Sequence, residues 1–143
     1  MIHTKAELVA TDQIHFGARC RVGEGVRVDA SRQQVFIGKS CTLDPGCSLV
    51  AGSAPLVIGD YVKIGQQSRI EGACTIGRLV VIGDNVTISP LCDVRDCVVV
   101  ENDSVLASGT VVAPFSVMAG KPAVCVSVLP PSAPEMLREF ILS

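Results

Sequence analysis

One spacing constrains this chain more than any other feature: a large apolar residue at every sixth position. From Ile58 the series runs Ile64, Ile70, Ile76, Ile82, Ile88, Val94, Val100, Leu106, Val112, Met118 and Val124. All twelve are apolar and ten are β-branched. Four residues after each comes a small or compact one: Val62, Ser68, Cys74, Val80, Val86, Cys92, Val98, Ser104, Thr110, Ser116 and Pro122. Gly59, Gly65, Gly77 and Gly83 each follow a large apolar position directly. An α-helix repeats about every 3.6 residues and a strand every 2.0, so neither explains a period of six. A solenoid does.

Six residues fit one face of a triangular prism: a short strand with one large side chain inward, then a tight corner. The sequence predicts that the corner takes up positive φ, which glycine tolerates and Asn or Asp tolerate better than most residues. The compact residue points inward near the next corner, where the prism is narrow. Three faces close a coil, and successive coils stack as parallel strands about 4.8 Å apart. This pattern resembles the left-handed parallel β-helix of hexapeptide-repeat proteins. Left-handedness is what the resemblance implies, since parallel crossovers are otherwise nearly all right-handed.

The spacing widens to nine residues from Val28 to Ile37 and again from Leu49 to Ile58. These two insertions fall one coil apart, so they bulge from the same corner. About six coils are expected, headed by Phe16, Ile37, Ile58, Ile76, Val94 and Val112. The expected organisation is an N-terminal cap or arm over residues 1–13, a β-helix over 14–128, and a Pro-rich turn with a helix over 129–143. Leu129-Pro130-Pro131 stops the last strand, Ser132 is placed to cap a helix, and Met136, Leu137, Phe140 and Ile141 give it an apolar face.

Aromatic residues make up only 3% of the chain, as a narrow prism filled by Ile and Val requires. The net charge of −2 gives no electrostatic reason to propose nucleic acid. The uncharged run Ser104–Gly120 keeps the six-residue register and contains Gly and Pro, which argues against insertion in a membrane. Cys20, Cys41, Cys47, Cys74 and Cys92 occupy compact inward positions, where a thiol behaves as a small apolar group. Stacking brings Cys20 near Cys41, and Cys74 near Cys92.

Catalysis has little to work with. His3 and His15 are the only histidines, and neither lies in the regular coils. Acyltransferases of this fold use a histidine base near a subunit boundary, which leaves His15 as the one candidate for a homotrimeric enzyme using acyl-CoA. The carbonic anhydrases of this fold bind zinc through three histidines near an Arg-Gly-Asp stretch. Arg27-Val28-Asp29 is the nearest counterpart, and the histidines are missing. Asp60, Asp84, Asp96 and Asp103 fall at corners, as turn formers. No catalytic residue, metal site or cofactor is therefore expected.

The outward residue before each large position forms columns. One column reads Arg21, Thr42, Lys63, Val81, Val99, Val117; its neighbours read His15, Phe36, Val57, Thr75, Asp93, Val111 and Arg27, Ser48, Arg69, Thr87, Val105, Ala123. Contiguous outward apolar residues call for a cover, either the C-terminal helix or a second protein. The candidate partner-binding residues are Phe36, Val57, Val81, Val99, Val105, Val111 and Val117.

Beyond the fold, Pro55–Val62, Ala73–Gly77, Val81–Asn85, Cys92–Cys97 and above all Gly109–Pro122, followed by Leu129-Pro130 and Met136-Leu137, resemble the dynactin subunit 5 family. The resemblance is close over residues 55–140 and looser over 16–54, and this chain is shorter than the family in its N-terminal arm and between coils. It implies a non-catalytic subunit of the dynactin pointed-end complex, cytoplasmic and cytoskeleton-associated. Implied partners are a second β-helix subunit resembling dynactin subunit 6, the pointed-end actin-related protein and other dynactin subunits. The assembly links the dynein motor to cargo.

Overall fold

Strands mostly of two or three residues, joined by tight corners, stack in parallel into three sheets. The structure is a computed structural model and describes residues 2–143. The first face is built from Ile14–Phe16, Val35–Ile37, Leu56–Ile58, Thr75–Ile76, Asp93–Val94 and Val111–Val112. The second contains Arg21–Val22, Thr42–Leu43, Val62–Ile64, Val80–Ile82, Val99–Val100 and Ser116–Gly120, with Ala123–Val128 added antiparallel at its end. The third contains Glu7–Val9, Arg27–Asp29, Ser48–Val50, Arg69–Glu71, Thr87–Ile88 and Val105–Leu106. The chain is thus a parallel β-solenoid of about six coils that ends in one helix, Ala133–Leu142.

The six-residue series fills the interior. Ile64, Ile70, Ile88 and Leu106 have no exposed surface, and every position from Ile58 to Met118 is buried. Val124 breaks the series at 58% exposure, and Pro122 is exposed as well. After Gly120 the chain turns back, and Ala123–Val128 runs against Ser116–Gly120 instead of closing another coil. The compact positions do more than save space. Ser68 Oγ donates to the Gly83 carbonyl oxygen at 2.6 Å and accepts from the Val86 N–H at 3.1 Å. Cys41 Sγ points at the Gly59 carbonyl (3.2 Å), Cys74 Sγ at that of Ser89 (3.2 Å) and Cys92 Sγ at that of Ala107 (3.2 Å). A small polar side chain here ties one coil to a corner carbonyl of the next.

The corners differ from expectation in one respect. Positive φ falls on a residue two after the glycine, not on the glycine itself: Tyr61 (55°), Gln67 (60°), Leu79 (56°) and Asn85 (55°). The glycine is required by crowding between coils. A Cβ on Gly59 would lie 2.8 Å from the Gly77 carbonyl carbon, nearer than real side chains approach. The acidic corner residues accept backbone hydrogen bonds from the coil before, Asp60 from Lys39 N–H at 2.9 Å, Asp84 from Gln66 N–H at 2.8 Å and Asp96 from Arg78 N–H at 2.9 Å.

The N-terminal segment, residues 2–13, adds a strand of its own to the prism. Glu7–Val9 pairs in parallel with Arg27–Asp29, and Ile2 bridges to Val22. These residues form a partial coil over the first strands and cover edges that would otherwise recruit another chain. A short 3-10 turn, Thr11–Gln13, links it to the first face. It occupies the same corner as the insertions before Val35–Ile37 and Leu56–Ile58.

Candidate interaction surface

Corner residues with positive φ throw their side chains outward, and the corner between the first and second faces carries six of them in register. From the N-terminal end they are Arg19, Ser40, Tyr61, Leu79, Cys97 and Phe115. The lower four make a ridge of apolar and aromatic groups. Beside it, on the second face, Val81 pairs in register with Val99, and Val99 with Val117. The C-terminal helix lies on this flank. Ala133, Leu137 and Ile141 pack with Tyr61 and Cys97, against Leu79, Val81, Val99, Phe115 and Leu129. Burying Leu137 and Ile141 there is worth about 2–3 kcal/mol each.

The helix therefore presents positions i, i+4 and i+8 to the prism. Met136 and Phe140, expected on the same apolar face, are 57% and 52% exposed. Phe140 instead lies under the Lys63 ammonium, whose Nζ is 4.9 Å from the ring centre. Ser132 stands at the N-cap but its hydroxyl makes no capping bond, contrary to the expected role; Pro134 does sit in the first turn.

The candidate partner residues separate into two groups. Val81 and Val99 are covered by the chain's own helix, and Val117 is half-buried between the strands carrying Val99 and Ser127. Val105 is half-buried on the third face. Phe36, Val57 and Val111 point to solvent on the first face at 36%, 38% and 63% exposure. Phe36 lies between His15 and Val57 in the strand register, and its ring stacks on the His15 imidazole with centroids 4.8 Å apart.

The groups with potential chemistry do not converge. His15 is held in that stack, whereas His3 sits by the second face, its N–H on the Val22 carbonyl and its Nδ1 accepting from Lys5 N–H. Among the described residues no three His, Cys, Asp or Glu side chains gather as metal ligands. The seven cysteines are thiols, and six are buried. Burial pushes the Cys47 thiol up to about 12. Cys41 and Cys74 lie above the ordinary thiol range, through the hydrogen bond each shares with its stacked neighbour and then through burial. These three thiols are poor nucleophiles, whereas the hydrogen bond within each stacked pair lowers Cys20 to about 6 and Cys92 to about 7.

A family model described as Dynactin subunit 5 matches residues 20–143, which takes in the coils from the first corner onward and the whole helix. The chain belongs to the dynactin subunit 5 family. No match is found among curated proteins. Solved structures show where this family stands among folds. A hexapeptide transferase family protein from Anaplasma phagocytophilum superposes with a TM-score of 0.80 at 16% identity, over 98% of this chain and 85% of that one. The N-acyltransferase AntD from Bacillus cereus, in complex with dTDP and 3-hydroxybutyryl-CoA, gives 0.85 at 16% identity, over 98% and 85%. A Caulobacter crescentus protein in complex with CoA and GDP-perosamine gives 0.66 at 17% identity, over 88% and 56%. At such identities the likeness is one of fold: the left-handed β-helix of hexapeptide-repeat proteins. This dynactin subunit 5 family member shares that prism.

Proposed function

We propose that this chain is a non-catalytic structural subunit of the dynactin pointed-end complex, a rigid β-helix that helps link the dynein motor to cargo. The observation that carries the reading is the family match over residues 20–143. Supporting it, the only outward ladder that combines an aromatic stack with exposed valines is on the first face among the described residues, and Phe36 and Val57 stand between His15 and Asp93, the acid of that ladder. In this reading Phe36, Val57 and Val111 meet a partner chain, while Val81 and Val99 serve the chain's own helix. The partners are a second β-helix subunit of the dynactin subunit 6 type, the pointed-end actin-related protein and other dynactin subunits, in a cytoplasmic, cytoskeleton-associated assembly. A prism stiffened by three sheets has little conformational entropy left to lose on binding, which suits a scaffold.

The fold likeness to acyl-CoA-dependent enzymes supports a second reading, a homotrimeric acyltransferase with His15 as base. One experiment separates them: gentle affinity purification from native cytosol, with co-purifying chains identified by mass spectrometry. A second β-helix chain recovered with actin-related and dynein-linked subunits supports the scaffold. A bare trimer that coenzyme A protects against thermal unfolding overturns it.

A further inference from the structure

The positive charge of this acidic chain is unevenly spent. Lys5, Arg27, Lys63, Arg69 and Arg95 each face a carboxylate within 4.0 Å. Among the described residues Arg19, Arg21, Arg32, Lys39, Arg78, Lys121 and Arg138 face none, and all seven are solvent-exposed. Five of the seven, all but Arg32 and Lys121, gather in one place. Two adjoining hollows, of about 430 and 410 Å³, open along the corner between the first and second faces. Arg19, Arg21 and Arg138 line one; Lys39, Arg78 and again Arg138 line the other. Tyr61 forms the common floor, with Lys39 Nζ 6.0 Å and the Arg138 guanidinium 5.2 Å from its ring centre. Glu135 is the only carboxylate in either wall.

We propose that this cationic groove over Tyr61 docks an acidic peptide segment of a partner protein. Five unpaired cations around one groove, in a chain of net charge −2, are a local field that only an anionic occupant complements. The field is too long for a single phosphate. Arg19 belongs to the first coil and Arg78 to the fourth, and three coil steps span about 14 Å. An extended peptide covers that distance in four or five residues at about 3.3 Å each. Nucleic acid suits the groove less well. Tyr61 as a residue is only 8% exposed beneath the two cations, so it offers no face for a base to stack on. The apolar edges contributed by Leu79 and Leu142 fit side chains between carboxylates. The charge argument stands on this chain alone, whichever assembly it joins.

The test is fluorescence anisotropy of the full-length chain with a short fluorescein-labelled peptide of alternating Glu and Ala. Binding that weakens with added salt is expected, with at least a roughly tenfold loss in the double variant Arg19→Gln/Arg78→Gln. Both substitutions lie on the prism corner and leave the helix alone, and an unchanged thermal melt verifies the fold. Arg27→Gln, a paired cation on the third face, should bind like the parent. The proposal is overturned if the parent chain ignores the peptide, if the double variant binds it equally well, or if a single-stranded oligonucleotide of equal charge binds more tightly.

Discussion

The upper and lower halves of one flank share a backbone and carry opposite chemistry. Arg19, Ser40, Tyr61, Leu79, Cys97 and Phe115 occupy equivalent corner positions with the same positive φ. Arg21, Thr42, Lys63, Val81, Val99 and Val117 stand in register beside them. The lower residues are apolar and lie beneath a helix; the upper ones are polar or cationic, and Arg19 and Arg21 open to solvent. The hexapeptide prism is thus indifferent to what its outer surface bears. Its inner positions specify the fold, and its outer ones are left free to specify contacts.

Changes that ignore this division should cost most. Ile82→Asp places a carboxylate in the dry interior, where Ile82 is 1% exposed. Neither inner neighbour, Ile64 nor Val100, offers a hydrogen bond, so the loss should be several kcal/mol, about 4 or more. Circular dichroism should show an unfolded chain at ordinary temperature; a cooperative melt unchanged from the parent would refute the inward register. Gly59→Ala ranks next. Its methyl meets the rigid corner of Gly77, so a loss of about 2–3 kcal/mol is expected from displaced backbone. If positive φ were the reason for glycine at this site, an added Cβ would not meet the next coil at all.

On the flank the same logic predicts a local effect. Leu137→Ala removes about 2–3 kcal/mol from the helix contact and leaves the coils untouched. Val99→Glu should do the same from the other side, since that side chain points away from the interior. Hydrogen exchange should speed up across Ala133–Leu142 while amides in the three sheets stay protected. Uniform acceleration through the sheets would mean that helix and prism are one cooperative unit.

How much of this was legible in the sequence follows the same boundary. The interior was, because a six-residue period names the inward residues one by one. So was the pairing of Val81 with Val99, which needs only the coil length. The ridge under the helix was missed because its residues sit at corners, where turn chemistry dominates a reading. A signal existed: Tyr61, Leu79, Cys97 and Phe115 recur at the coil length, three residues after Ile58, Ile76, Val94 and Val112. The helix face was read too broadly. Met136, Leu137, Phe140 and Ile141 all fall on one broad apolar stripe, and only the shape of the ridge selects Leu137 and Ile141. The partial first coil escaped because the link from Leu8 to Phe16 is lengthened at a corner, which hides the period.

The smallest effect on stability bears most on function. Phe36 is 36% exposed, so Phe36→Ser forfeits part of a ring's burial and one stack on His15, together about 1–2 kcal/mol. The fold should melt within a few degrees of the parent. Partner recovery should nevertheless fall sharply if the first face is the contact surface, because a central aromatic anchor typically carries more binding energy than its share of area. The matching change on the flank, Leu79→Ser, should disturb the helix before it disturbs any partner, since that side chain is already covered. Purification of both variants from the same cytosol therefore reads the two surfaces separately. If Phe36→Ser keeps every partner and Leu79→Ser sheds them, the helix-covered flank is the docking surface, and the first face is left with no role in assembly.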